Sequence, residues 1–203
     1  MNQDSTTDKP VRLRDRLRDE ASRAILEAAE QVFSEDGLGA RMERIAARAG
    51  VAVGTLYNHF RDREALASAL ACSRREGLFA RLDAALAASA GRPVREQLRA
   101  FIGAVAEHGK VHGRYLAMLV QAGAGPASAS PGKSLLDELI GRADVVVARG
   151  IGAGELRAEA REILTLALVG AIRTANVRIL EGGATWETLT EPLLDLFLRG
   201  AQP

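Results

Sequence analysis

The chain has little cysteine, few aromatic residues and almost no net charge. Its one cysteine, Cys72, excludes an intrachain disulfide and fits a reducing compartment. Aromatic residues make up 4% of the sequence and hydrophobic residues 47%, so the core must consist mainly of Ala, Leu, Val and Ile. The first sixteen residues are polar and charged, unlike a signal peptide, and no run of about 18 apolar residues indicates a membrane span. These absences predict a soluble, cytoplasmic protein.

No stretch alternates between apolar and polar residues around an Asn-Gly or Asp-Gly turn, which is the usual signal of a β-hairpin. Apolar residues instead recur at steps of three and four, and alanine and leucine favour helices. The pattern predicts an all-α fold of about nine helices: a three-helix head with a helix-turn-helix, and a larger helical body.

Glycine and proline divide the predicted helices. Residues 1–10 are polar and predict a disordered lead, and the break Gly91-Arg92-Pro93 predicts the boundary between a head at 11–90 and a body at 91–203. Gly109 and Gly113 predict a junction between two body helices, and residues 123–132 predict a loop.

The formal net charge is +1, so the global charge does not indicate a nucleic-acid partner. Between Arg41 and Arg63, however, five arginines face two acidic residues, a local charge of +3. A small basic face on a neutral body is what a phosphate-binding head would show.

The stretch that carries most information is RMERIAARAGVAVGTLYNHF, residues 41–60. Ala46 provides a small residue where two short helices cross, and Gly50 tolerates the tight backbone between them. Ile45, Val51 and Leu56 supply apolar anchors. This arrangement lets the second helix enter a major groove while the first crosses the DNA backbone.

The segment from Ile45 to Phe60, followed by RDREAL at 61–66, resembles the signature of the TetR family of regulators. The similarity covers about sixty residues, roughly 19–79. It implies that the head binds operator DNA through positions that often touch DNA in that family: Arg41, Arg44, Val53, Gly54, Thr55, Tyr57, His59 and Arg63.

Two positions depart from the family pattern. Arg41 stands where a Thr usually caps the first motif helix, and Ala52 stands where a Ser usually caps the recognition helix. Each change removes an N-cap, a loss of about 1 kcal/mol.

The resemblance also implies that the body forms a homodimer through its last two helices and holds an effector pocket in its middle helices. Small residues at helical spacing suit close helix approach, and apolar residues of the last helix suit the partner face. The predicted dimer interface comprises Ala167, Gly170, Ala171, Thr174, Leu189, Leu193, Leu196 and Phe197.

The candidate ligand-binding residues are Phe101, Val105, Tyr115, Met118, Leu119, Arg173 and Asn176, with Trp186 as a further wall and Gln121 as a further polar contact. Ordinary core packing is the commoner explanation of each apolar member, and a dimer-interface hydrogen bond explains Arg173 and Asn176 equally well. Two minor readings remain open, a metal site at His108 and His112 and an oxidant sensor at Cys72.

The motif predicts a DNA-binding transcriptional regulator, and the resemblance implies a repressor released from a pseudo-palindromic operator by a small-molecule effector. The alternative is a ligand-independent DNA-binding protein, architectural or activating, without an effector pocket. An enzyme is not expected, because no nucleophile–base motif, phosphate loop, cofactor motif or metal signature is present. A helical dimer used only as a protein-interaction scaffold is the remaining class.

Overall fold

The computed structural model describes residues 13–121 and 135–201, and within these ranges the fold is all-α, as predicted. Eight α-helices and one short 3-10 helix are present in these residues. Their bounds are α1 Leu13–Asp36, α2 Met42–Ala49, α3 Val53–His59, α4 Arg63–Ala88, α5 Val94–Gln121, α6 Leu135–Gly152, a 3-10 turn Ala158–Ala160, α7 Arg161–Leu180 and α8 Trp186–Ala201. The predicted lead at 1–10 and loop at 123–132 lie outside the described residues.

The chain forms two compact units, Met1–Leu70 and Ala71–Pro203. The division falls inside α4, twenty residues before the boundary that the sequence predicted at Gly91. The predicted break at Gly91–Pro93 instead separates α4 from α5 within the second unit.

The first unit has a core built from one face of each of its helices. On α1, Ile25, Ala29, Val32 and Phe33 are fully buried along one stripe at steps of three and four residues. Leu17, near the start of α1, is 56% exposed. The remaining fully buried apolar residues of this unit are Ile45, Ala46, Leu56, Leu66 and Leu70.

The second unit has its own core, to which α4 to α8 all contribute. Its members are mostly aliphatic, as the composition requires, with Phe79, Phe101 and Trp186 as the large aromatic residues. Glycine is needed where α6 ends, because a methyl group at Gly150 would lie 2.6 Å from a Val94 side-chain carbon. The same corner caps α5, whose Val94 N–H donates to the Glu155 carboxylate at 3.1 Å.

The predicted junction at Gly109 and Gly113 is wrong. Both glycines lie inside α5, which runs without interruption for 28 residues. An interior glycine costs a helix about 1 kcal/mol relative to alanine. Contacts of α5 with α6, α7 and α8 outweigh that cost.

One helical stretch in the described residues, Ala158–Leu180, is long and apolar enough to cross a membrane by length and composition. The sequence did not predict such a segment, because three arginines and two glutamates interrupt its apolar residues. A single helix of this kind is weak evidence for a span, since core helices pass the same test. Its buried residues include Leu164, Leu168 and Ile172.

Candidate DNA-binding site

The turn between α2 and α3 has the geometry that the motif predicted. Gly50 adopts a left-handed conformation at φ 70°, which ends α2 and which an L side chain rarely adopts. The N–H of Val51 donates to the Ala46 carbonyl at 3.0 Å, closing the end of the helix. Ile45 and Leu56 are fully buried and anchor the two helices.

The anchoring of α3 leaves its other side free to contact a partner. Val53 is 36% exposed and Tyr57 is 45% exposed, although both are large apolar or aromatic side chains. Gly54 is exposed as well, while Thr55 and His59 are half-buried. These residues present a short apolar tip, a phenol, a hydroxyl and an imidazole on one small helix.

Neither motif helix has a side-chain N-cap, as the sequence predicted. Arg41 and Ala52 occupy the N-cap positions with extended backbones, and neither side chain caps the helix. The next helix differs, because Asp62 caps α4: the Ala65 N–H donates to Asp62 Oδ1 at 2.7 Å.

The predicted arginines differ in how much they are engaged within the protein. Arg44 forms ion pairs with Asp36 and with Glu35, the second at 2.7 Å. Arg63 donates to the Gly39 carbonyl at 3.3 Å and pairs with Glu64. Arg41 is exposed and forms no ion pair with any residue in the described ranges.

Arg48 is a further cation of this face that the sequence analysis did not single out as a DNA contact. Its guanidinium pairs with Glu35 at 3.2 Å and donates to the Gln31 side chain at 2.9 Å. Its spacing of four residues from Arg44 on α2 was the signal that could have identified it.

A small hollow lies between α5, α7 and α8 in the second unit, with a volume of about 180 Å³. We call it the α5–α8 hollow. Its lining residues are Gly109, Lys110, Asn176, Ile179, Leu180, Thr185, Trp186 and Glu187.

Of the candidate ligand-binding residues, Asn176 and Trp186 line this hollow. The other five described candidates do not line the hollow. Phe101 and Tyr115 are buried in α5, and Val105 and Met118 are partly buried there. Arg173 is exposed on α7. The side chains of Leu119 and Gln121 lie outside the described residues. Gly109 and Lys110 were missed, although a glycine inside a helix often marks a close approach or a site.

A second, larger hollow of about 530 Å³ lies where α5 begins. Three of its charged groups have partners, since Arg95 pairs with Asp195 at 2.6 Å and Glu155 accepts from the Val94 N–H. None of the candidate ligand-binding residues lines this larger hollow.

The structure adds little support for the metal site at His108 and His112 or for the oxidant sensor at Cys72. The rings of His108 and His112 lie 4.6 Å apart, but no group of three or more His, Cys, Asp or Glu residues suited to a metal occurs in the described part of the chain. The Cys72 thiol lies 3.5 Å from a Glu76 carboxylate oxygen, as a donor to it.

The predicted dimer residues fall into two groups. Ala167, Gly170 and Thr174 are exposed on α7, with Ala171 half-buried beside them. On α8, Leu196 is 74% exposed, whereas Leu189, Leu193 and Phe197 pack partly against the core of their own unit.

The comparisons with known proteins agree with this geometry. Residues 25–70 match the family described as "Bacterial regulatory proteins, tetR family". A comparison with curated proteins gave no match.

Among solved structures, a TetR transcriptional regulator from Streptomyces coelicolor is 31% identical, with 90% of this chain and 98% of that one covered and a TM-score of 0.54. A TetR regulatory protein from Mycobacterium vanbaalenii is 28% identical, with 84% and 98% covered and a TM-score of 0.58. FadR from Bacillus subtilis, solved with stearoyl-CoA, shares the fold at 20% identity, with 88% and 98% covered and a TM-score of 0.68.

The helix-turn-helix at residues 41–60, the matched segment around it and the similarity along nearly the whole length of the Streptomyces protein lead to one conclusion. The chain belongs to the TetR family of bacterial transcriptional regulators, with a DNA-binding helix-turn-helix at its N-terminal end.

Proposed function

We propose that this regulator is a homodimeric repressor that occupies an operator and leaves it when a small molecule binds to the second unit. The observation that best supports DNA recognition is the arrangement of α3. Its inner side is held by the buried Leu56, and Val53 and Tyr57 remain exposed. In the cell, such a repressor would act in the cytoplasm, where its operator lies.

The proposed grip on DNA follows from side-chain chemistry. With α3 in the major groove, Tyr57, Thr55 and His59 donate hydrogen bonds to phosphate oxygens, and Arg41 and Arg63 add charge-assisted contacts. The small residues Val53 and Gly54 let the helix tip approach the base edges, where Val53 suits contact with a thymine methyl group.

Arg44 contacts the DNA as well, by exchanging its carboxylate partners for a phosphate. Its ion pairs with Glu35 and Asp36 are partly exposed, and surface pairs of this kind contribute about 0–1 kcal/mol. A phosphate brought close by the other contacts can therefore replace the carboxylates at small cost.

The proposed dimer is supported by α7, which carries apolar residues on two sides. Leu164, Leu168 and Ile172 are buried within the protomer, while Ile163 is 71% exposed and Leu166 is 49% exposed. A helix that is apolar all round is normally covered on every side. A second copy of the chain would cover the outer side and leave two recognition helices to read a two-fold operator.

The proposed effector site is the α5–α8 hollow. FadR from Bacillus subtilis was solved with stearoyl-CoA. The hollow in this chain measures about 180 Å³, and pockets for drug-sized ligands span about 300–1,000 Å³. The effector proposed here is therefore a much smaller molecule, or one end of a longer one.

Release requires a difference in affinity. The effector must bind the state of the dimer that does not fit the operator more tightly than the state that does. The operator then weakens effector binding by the same factor by which the effector weakens operator binding.

The test uses operator fragments selected from the genome of the source bacterium. Fractions of a metabolite extract from that bacterium are added to the operator-bound protein, and in vitro transcription is followed in parallel. The proposal expects one fraction to weaken operator binding about tenfold or more, a coupling of about 1.4 kcal/mol, and to restore transcription.

If no fraction changes operator affinity, the effector is absent and the ligand-independent reading replaces the proposal. In that case a salt slope that is the same on operator and random DNA would further indicate an architectural binder. Transcription that rises when the protein binds would overturn the repressor role.

A further inference from the structure

The indole N–H of Trp186 lacks a hydrogen-bond partner at the edge of the α5–α8 hollow. Trp186 is 4% exposed, and its buried Nε1–H donates to no acceptor within the described structure. A buried N–H without a partner lowers the stability of the fold by about 1–3 kcal/mol, so each such group calls for an explanation.

The surroundings of this N–H show where an acceptor would sit. A methyl group at Gly109 would lie 3.6 Å from Trp186 Nε1 and 3.6 Å from Asn176 Oδ1. The missing side chain at Gly109 thus keeps open the space between an indole donor on α8 and a carboxamide on α7. Asn176 Oδ1 faces this space, and the Asn176 side chain makes no hydrogen bond to any described residue. Rotation of its carboxamide would present Nδ2 there as a second donor.

The walls and rim of the α5–α8 hollow determine which class of molecule can bind there. Ile179, Leu180 and the Trp186 ring supply apolar surface. At the rim, the Lys110 ammonium is paired with two carboxylates, Glu107 at 2.9 Å and Glu187 at 3.0 Å, so the local charge is −1. An anionic ligand is repelled there, and an ammonium or guanidinium group has no lone pair to accept from the indole N–H.

We infer that the α5–α8 hollow binds a small, neutral, largely apolar molecule through a carbonyl oxygen that accepts from Trp186 Nε1, with Asn176 as a second polar contact. This inference rests on the proposal that the second unit holds an effector site, and it specifies the chemistry of that effector. Binding at the hollow links α5, α7 and α8 through one ligand, which is the coupling that an effector needs to alter the body.

Trp186 is the only tryptophan in the sequence, so its indole N–H gives a single NMR resonance. We would titrate the full-length protein, without DNA, with cyclohexanone, and with methylcyclohexane and cyclohexanecarboxylate as matched probes. The inference predicts a saturable downfield shift of the indole proton with cyclohexanone. It predicts affinities at least about tenfold weaker for both controls. The hydrocarbon has no oxygen to accept from the indole N–H, and the carboxylate carries a negative charge.

Gly109→Ala is the most informative variant, because its methyl group makes ordinary contacts and does not disturb the fold. Alanine also favours the interior of a helix, so the variant should unfold at a higher urea concentration than the wild type. The inference nevertheless predicts that it binds cyclohexanone about tenfold more weakly or not at all. Gly113→Ala, on the same helix but outside the hollow, gains the same helical preference and should keep wild-type binding.

Four results would overturn the inference. Three come from the titrations: no saturable indole shift with any probe, an equal shift in Gly109→Ala, or tighter binding of cyclohexanecarboxylate than of cyclohexanone. A fourth would be a large change of the indole resonance in Asn176→Ala without any probe, because Asn176 would then be the partner of Trp186. Each result is obtained without DNA, so it is separate from the operator test. Cyclohexanone binding without any effector response on the operator would leave this site standing and overturn the proposed release.

Discussion

Arg44 on α2 and Glu35 on α1 form an ion pair, with Arg44 Nη2 2.7 Å from Glu35 Oε2. The same carboxylate holds Arg48 at 3.2 Å. One acidic residue therefore engages two cations on the basic face of the DNA-binding unit.

Glu35→Gln should tighten DNA binding by a few-fold and make it more dependent on salt. The variant removes a negative charge from the face, frees Arg48 from its ion pair and leaves Arg44 paired with Asp36 alone. Each arginine that gains a phosphate changes the slope of log affinity against log salt by about one. Binding to operator and random fragments should be measured at several salt concentrations. Asp83→Asn, which removes a carboxylate from the second unit, is the control; equal effects of the two variants would contradict the assignment.

Ala52→Ser should stabilise the protein by about 1 kcal/mol. The serine hydroxyl would accept a hydrogen bond from a backbone N–H in the first turn of α3, a cap that the chain now lacks. Urea unfolding followed by circular dichroism measures the change. Ala80→Ser places the same hydroxyl at an exposed position inside α4, where no gain is expected; equal gains at both positions would rule out capping as the cause.

The proposed dimer predicts that Ile163→Glu and Leu196→Glu convert the protein to monomers. Each variant places a charge on a residue that is more than two-thirds exposed in the protomer, so the fold of the protomer should survive. Analytical ultracentrifugation would show the change of mass, and operator affinity should fall by at least about tenfold because one recognition helix replaces two. Val111→Glu is the control, because it places the same charge at an exposed apolar residue of α5, outside the proposed interface. It should remain a dimer. If both variants remain dimers, α7 and α8 are not the interface.

His108 should make the stability of the second unit depend on pH. Burial lowers its pKa from 6.5 to about 4, helped by the charges of His112, Arg81 and Arg74. The unfolded chain therefore binds a proton between pH 6.5 and 4 that the folded protein does not. Stability should be complete above pH 6.5 and should fall by about 2 kcal/mol as the pH drops to about 4, after allowance for solvent screening.

The fluorescence of Trp186 can follow urea unfolding of this unit across that pH range. His108→Gln, which has no proton to gain, should lose most of the pH dependence, and His59→Gln in the other unit should retain it. An unchanged pH dependence in His108→Gln would show that other groups cause it.

The sequence predicted the helix-turn-helix well because its signals are local. Gly50 marks a left-handed turn, and Ile45 and Leu56 mark the two anchored faces, all within twelve residues. The prediction of a break in α5 was wrong because the deciding contacts are not local. Gly109 and Gly113 are poor helix formers, and only the packing of α5 against distant helices reveals that they stay helical.

The finer parts of the two candidate sites were beyond prediction from the sequence. Glu35 meets Arg44 only because α1 and α2 pack side by side. The hollow joins Gly109 to Asn176 and Trp186, which lie more than sixty residues away. The sequence identified Asn176 and Trp186 separately as candidates, but the space that Gly109 leaves between them exists only in the folded unit.

Operator recognition through α3 is tested by sequencing the DNA that the purified protein retains from fragmented genomic DNA of its source bacterium. We expect enrichment of one inverted repeat, and loss of that enrichment in the double variant Thr55→Ala and Tyr57→Ala, whose exposed or half-buried side chains leave the fold intact. No retained DNA, or an enriched site that the double variant binds as well as the wild type, would contradict operator recognition through α3.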